Sequence, residues 1–246
     1  MHIKLGFAIS NTTEKSEDLT RKIENALNIS DEAIELSLTR DTKFNQPFTQ
    51  ETFDLLNKFK YKSIHAPVRD SNLNGINYPS KLGNTLLDII DTIAKNINPT
   101  AILFHPDVVE SFDYLNSRYG STLAFENMDI TKSFGKTLVE LEEVFKKSPQ
   151  AKWVFDINHI YTNDKSMKSA KEFYDAFKDR VTHYHVSSLG KAHDCFYNTH
   201  EDIILEGIQN LDMPMIHEGN AIDRGMGLEE FRYIEGYLQK KFRHGN

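Results

Sequence analysis

The sequence predicts a single (β/α)8 barrel over residues 1–246, and three observations predict it. Eight short apolar runs rich in β-formers recur along the chain, starting near positions 3, 33, 63, 101, 122, 152, 181 and 213. Most intervals are close to thirty residues, the length of one strand–helix unit. The length itself, 246 residues, fits one barrel of roughly 250.

In chain order the strands are Ile3–Ile9, Ala33–Leu38, Ser63–Ala66, Ala101–Phe104, Leu123–Glu126, Trp153–Ile157, Val181–Val186 and Met213–His217. Between them the spacing turns helical. Leu82–Ile97 repeats its apolar positions three or four apart, Thr137–Lys147 puts Leu138, Leu141, Val144 and Phe145 on one face, and Leu228–Phe242 does the same with Phe231, Ile234 and Leu238. The interval after Ala101 is short, so its helix, around Val108–Tyr119, is short as well. Lys146-Lys147 and Lys240-Lys241 suit helix C-termini, where cations meet the negative end of the helix dipole. An open doubly wound sheet is the alternative. It calls for a Gly-rich phosphate loop after the first strand, whereas here that strand runs into Ala8-Ile9-Ser10-Asn11.

Composition narrows the class. Apolar residues make 39% and charged residues 26% of the chain, the balance of a soluble globular protein. Lys and Arg number 29 against 36 Asp and Glu, a net charge of −7, which speaks against generic polyanion binding without excluding a local basic groove. Cys195 is the one cysteine, so no internal disulfide forms and a reducing compartment, the cytoplasm, is expected. No run approaches the ~18 apolar residues that span a bilayer. The opening Met1–Phe7 reads as a strand rather than a signal peptide.

The ionisable residues gather at the strand ends. They are Glu35 on the second strand, His65-Ala66-Pro67 after the third, His105-Pro106-Asp107 after the fourth and Glu126-Asn127 closing the fifth. Asp156-Ile157-Asn158-His159 closes the sixth, His183-Tyr184-His185 lies on the seventh and His217-Glu218-Gly219 ends the eighth. In a barrel all C-terminal strand ends meet at one mouth. Any single histidine there has a plain reading as a hydrogen-bonded core residue. A ring of carboxylates and imidazoles is what a multinuclear divalent-metal site requires, because buried charges need a partner or a metal. Strand parity refines the set. His183 and His185 share a face, so His185 reaches the mouth with His183 one layer deeper. Glu218 and His217 oppose each other, so His217 faces the helices if Glu218 faces inward.

Taken together, His65-Ala66-Pro67, His105-Pro106, Glu126-Asn127, Phe155-Asp156-x-x-His159 and His185…His200 followed by Glu218 resemble the xylose isomerase-like barrels, and within them endonuclease IV, the abasic-site endonucleases. The resemblance runs from about Ser63 to Gly219. It implies three zinc ions: His65, His105 and Glu126 on the first; Glu126 as bridge with Asp156, His185 and Glu218 on the second; His159 and His200 on the third, with Asn198 where the family has aspartate. The interval from His185 to His200 matches the spacing in that family, so the resemblance implies His200 rather than His193. Three departures bear on a DNA-binding rim: Val68 where the family has tyrosine, a Val186–Thr199 segment whose only cation is Lys191, and His217-Glu218-Gly219 at the last strand. Neutral Asn198 weakens the third ion's site.

Two functions follow. The first is a phosphoester hydrolase with two or three zinc ions, in which Glu126, Glu218 and His159 are catalytic and the substrate is a phosphodiester, abasic DNA by resemblance. Its rim candidates are Arg40, Lys43, Arg69, Lys132, Lys136, Lys191 and Arg224. The second is a sugar isomerase or epimerase acting on a small sugar or sugar phosphate. One metal on Glu126, Asp156, His185 and Glu218 serves it, the two glutamates moving a proton beside a carbonyl and His159 polarising the substrate oxygen. That reading leaves His65, His105 and His200 without a role and ranks second. A barrel that only binds a ligand is a third reading, which the intact ring does not favour. Zinc is favoured over manganese because several imidazoles stand among the ligands.

Overall fold

The structure, a computed structural model, describes residues 2–10, 19–40, 48–190 and 193–243. Eight parallel strands close into one barrel in sequence order, β1 pairing with β8. The strands are β1 Leu5–Ser10, β2 Ala33–Ser37, β3 Tyr61–His65, β4 Ala101–Phe104, β5 Leu123–Glu126, β6 Lys152–Asp156, β7 Val181–Val186 and β8 Met215–His217. The helices are α1 Leu19–Leu27, α2 Gln50–Leu56, α3 Lys81–Ile97, α4 Phe112–Tyr119, α5 Leu138–Lys147, α6 Ile157–Asn163, α7 Lys168–Phe177, α8 Phe196–Thr199 and α9 Gly227–Arg243. The barrel is the fold the sequence predicts, and each predicted strand has its counterpart within a few residues.

Local chemistry sets the boundaries. β6 stops at Asp156 because its carboxylate accepts the His159 N–H at 2.7 Å and so caps α6. Caps of this kind contribute about 1 kcal/mol. Thr137 and Glu140 form a reciprocal capping box that starts α5 one residue later than the apolar spacing suggests. After β6 the chain makes two helices rather than one. Asp164 accepts N–H groups from Ser166 and Ser169 at 2.9 Å, and Met167 takes a left-handed conformation before α7 begins. Between β7 and β8 the described residues hold the four-residue α8 and a 3-10 segment, Asp202–Gly207, in place of a full helix.

The two-residue period divides each strand between barrel interior and helix layer. Outward residues such as Phe7, Ile64, Phe104, Phe125, Trp153, Phe155 and Tyr184 are fully buried beneath the helices in one large cluster. Inside the barrel, Ala33, Tyr61 and Ile216 pack together, as do Ala101, Leu103, Ala124 and Val154. Gly6 is required where β1 meets β2: a Cβ there would lie 1.7 Å from the Ala33 carbonyl oxygen. Above these apolar layers the inward positions turn polar, and the site begins.

Candidate metal centre

Glu126 closes β5 and stands at the centre, fully buried. Its two oxygens face different nitrogens. Oε2 lies 3.2 Å from His105 Nε2 and 3.8 Å from His65 Nε2. Oε1 lies 2.7 Å from His185 Nδ1 and 3.8 Å from His159 Nδ1. Two donor sets therefore share this carboxylate: His65, His105 and Glu126 on one side, and Glu126, Asp156, His185 and Glu218 on the other. Within each set the donor atoms fall within 4.8 Å of one another.

Several neighbours fix the histidine tautomers. His65 Nδ1 sits 3.0 Å from the Ala66 carbonyl, which accepts an N–H, so Nε2 presents a lone pair toward Glu126 and His105. His159 Nδ1 likewise donates to the Asn127 carbonyl at 2.8 Å, leaving Nε2 free, 4.0 Å from Asp129. Asn127 in turn bridges to β6, its amide donating to the Asp156 carbonyl at 2.8 Å and its oxygen accepting the Asp156 N–H at 3.0 Å. His185 meets Glu35 at its other nitrogen, Nε2 to Oε2 at 3.2 Å. Glu35 also accepts the Ser63 hydroxyl at 2.8 Å, and His183 lies one layer down, hydrogen-bonded to the Tyr61 hydroxyl at 2.7 Å. This chain of carboxylates behind imidazoles is how ligating histidines are oriented and made more basic.

The site carries more charge than it balances. Glu126 Oε2 and Asp156 Oδ2 are buried and take no hydrogen bond from any described residue, a costly state for a carboxylate. Divalent cations fit these orphaned oxygens and the lone pairs facing them. Burial holds the Glu218 carboxyl well above the usual carboxylate range against the pull of His185, with Glu126 and Asp156 adding to the rise. Burial opposes charge on His185, yet Glu218, Glu35 and Glu126 hold it well above histidine's ordinary range. Burial, then His65, keep His105 neutral by pushing it well below that range. The consequence has a definite sign. Groups with raised values hold their protons to higher pH than they otherwise would, so metal uptake competes with those protons and weakens as pH falls. Zinc binding at pH 7 is expected to release protons, read by calorimetry in buffers of different ionisation heat. A binding heat independent of buffer would overturn this.

Of the nine ligand candidates, the structure brings seven together: His65, His105, Glu126, Asp156, His159, His185 and Glu218. Asn198 and His200 stand apart, a correction to the expected third ion. Ser188 and Asp194 pair as an antiparallel bridge, folding the segment after β7 back on itself. The Glu230 carboxylate of α9 then receives the Phe196 and Tyr197 N–H groups at 2.8 and 2.9 Å and carries the chain outward. His200 ends exposed, bonded to Tyr233 at 2.9 Å. Asn198 is exposed too, its amide 3.8 Å from the Met226 sulfur. The residue that reaches the mouth is His193. Its Nδ1 lies 2.8 Å from Ser187 Oγ and 3.7 Å from Glu218, with its ring centroid 5.9 Å from that of His159. Burial pushes His193 down to about 4, so it is neutral. Spacing alone does not identify it. Glu35 is the other addition, visible in the sequence as a buried strand carboxylate but placed against His185 only by barrel closure.

The rim divides as well. Lys43 and Lys191 lie outside the described residues. Arg224 is engaged by Asp194 at 2.8 Å. Arg40 and Arg69 are exposed and adjacent through a backbone bridge, and Lys136 is half-buried. Lys132 is close enough to act electrostatically on both His105 and Asp107. No described helix is long and apolar enough to cross a membrane.

No family model and no curated protein matches the chain. Solved structures do match over nearly its whole length. The crystal structure of AsfvAP:AG shares 12% identity at a TM-score of 0.62, covering 95% of this chain and 98% of that one. Apo 3-keto-D-glucoside 4-epimerase YcjR from E. coli shares 11% at 0.62, covering 96% and 100%. The IOLI protein with a bound zinc atom shares 15% at 0.57, covering 96% of each. The common ground is the fold, a (β/α)8 barrel.

Proposed function

We propose that the mouth holds two divalent ions bridged by Glu126 and that the protein hydrolyses phosphoester bonds. The observation that carries this is the division of the Glu126 oxygens between two separate nitrogen sets. His65 and His105 would hold one ion with Glu126, and Asp156, His185 and Glu218 the other. When bound, such a pair supplies Lewis acidity and a water of lowered pKa. Zinc suits three imidazoles among the ligands better than manganese or magnesium does.

The protein's own groups supply the rest. Glu218, at the open side of the ring and with its carboxyl raised by burial, is placed to orient the attacking water and take its proton. His159 donates Nδ1–H to the Asn127 carbonyl; in its doubly protonated form, which burial opposes and Asp156 and Glu126 favour, Nε2–H can donate to a phosphate oxygen. The His193 Nδ1 accepts from Ser187, whose oxygen itself receives the Asn158 amide at 3.2 Å. In the tautomer in which Ser187 donates to Nδ1, the His193 proton sits on Nε2, a donor for a second substrate oxygen. Lys132 and Arg69 add positive potential on the His105 side.

The substrate class we favour is a small phosphodiester or a short oligonucleotide. Among the described rim residues Arg224 is already paired and buried Val68 offers no hydrogen bond, which leaves Arg40, Arg69, Lys132 and Lys136 to grip a duplex. Each phosphate contact steepens the salt dependence of DNA affinity by roughly 0.9 in log–log slope. We expect zinc-loaded protein to cleave a bis-aryl phosphodiester with little salt dependence, and an abasic duplex slowly and only at low salt. The two rates are measured side by side over a salt series. Efficient duplex incision at physiological salt would overturn the substrate assignment, and absence of phosphodiesterase activity at full metal loading would overturn the hydrolase reading.

A further inference from the structure

A second donor cluster lies on the other face of β8. Parity turns His217 away from the mouth as it turns Glu218 toward it, and His217 packs against α9, its Nε2 2.9 Å from Glu230 Oε1. Cys195, just before α8, completes the group. All three side chains are fully buried, and their donor atoms lie within 4.8 Å of one another.

We propose that Cys195, His217 and Glu230 form a buried zinc site that pins the segment after β7 and the last helix to the end of β8. Two independent features point to an ion. Both ring nitrogens of His217 lack a hydrogen bond although the residue is fully buried. The Glu230 oxygen beside Nε2 lies off the line of any N–H bond. A buried imidazole with neither nitrogen satisfied is costly, and an ion is one of the few things that explains it. The second feature is charge. Glu230 is a fully buried carboxylate whose ion-pair partner among the described residues is His217 alone. Backbone N–H groups solvate that carboxylate without cancelling its charge, and a cation does cancel it.

The donor chemistry is specific. Thiolate, imidazole and carboxylate together suit zinc, which takes them at about 2.0–2.3 Å in tetrahedral array, with a fourth position for water. The Glu230 carboxylate is already oriented by two backbone N–H groups from Phe196 and Tyr197, and each of its oxygens keeps a second lone pair. Without an ion Cys195 is a poor nucleophile, since burial and the Glu230 and Asp194 charges push its thiol up to about 12. A catalytic thiol is not the competing explanation.

The single cysteine gives the site its own signal. The full-length protein, stripped of metal and reloaded with cobalt(II) under reducing conditions, is expected to show a near-ultraviolet thiolate-to-cobalt charge-transfer band. The mouth has no sulfur and cannot produce it. Cys195→Ser should abolish the band, keep the cobalt bands of the nitrogen and oxygen site, and bind one zinc ion fewer per chain than wild type. Absence of the band in wild-type protein at excess cobalt overturns the proposal and needs no variant to fold. A Cys195→Ser protein with the wild-type zinc count overturns it too. Neither readout depends on any enzymatic activity.

Discussion

Replacing Glu126 with glutamine is expected to cost at least one bound divalent ion per chain and to lower phosphodiesterase activity by ~10³-fold or more, the scale of losing a group that organises transition-state charge. The amide keeps the shape and one acceptor oxygen but gives up the charge that lets both oxygens bind. Oε1 belongs to the His185 side and Oε2 to the His105 side, so the change strikes both sets at once. Folding should survive. Burial raises the Glu126 carboxyl above its usual range while His185 and His159 pull it back. A carboxylate whose folded value is raised binds more protons folded than unfolded, so its contribution to stability falls as pH rises from the ordinary carboxylate range through the folded value. Glutamine removes that penalty, and the metal-free variant should melt no lower than metal-free wild type above that range. Metal content by elemental analysis and melting by circular dichroism test both halves. A variant with the full metal complement would end the bridging role.

The barrel was legible in the sequence because its cause is local. Runs such as Ala33–Leu38 and Val181–Val186 carry β-branched and aromatic residues at regular intervals, and parallel strands buried on both faces leave that mark whatever surrounds them. The ring at the mouth was legible for a related reason. Side-chain alternation sets His217 and Glu218 on opposite faces, and it places His183 below His185. The segment after β7 was not legible. Its path depends on a bridge between Ser188 and Asp194 and on Glu230, some thirty positions away, receiving the Phe196 and Tyr197 N–H groups. Spacing favoured His200, and tertiary contacts delivered His193. The split of α6 from α7 was written in Asn163-Asp164-Lys165-Ser166, where an aspartate gathers two backbone N–H groups, but such a turn leaves no gap in the apolar spacing.

The double change His65→Ala with His105→Ala separates the two enzyme classes. One divalent ion on Glu126, Asp156, His185 and Glu218 is enough for moving a proton on and off a carbon beside a carbonyl, with the two glutamates as acid and base. That reading needs only this four-ligand set. It gives the two histidines no task. Yet His65 and His105 bring their Nε2 atoms within 3.2 Å of each other, each nearly buried and each facing Glu126 Oε2. Two imidazoles held that close, with His65 locked in the tautomer that presents its lone pair, repel one another unless a proton or an ion lies between them. Burial, followed by the neighbouring His65, drives His105 well below the ordinary range, so it is neutral; without metal its one ring proton can sit on Nε2 and donate to His65, and an ion held by both lone pairs would take that proton's place. The double variant should therefore lose about one ion per chain and essentially all phosphodiesterase activity, while the four-ligand set keeps its own ion. Removing two rings from the mouth exposes polar space that water fills, so the loss of stability should stay within the ~0.5–3 kcal/mol typical of single substitutions. Metal stoichiometry decides the matter before any substrate is found. If the double variant retains the wild-type metal count and epimerises a keto sugar, the pair is structural and the barrel is a one-metal isomerase.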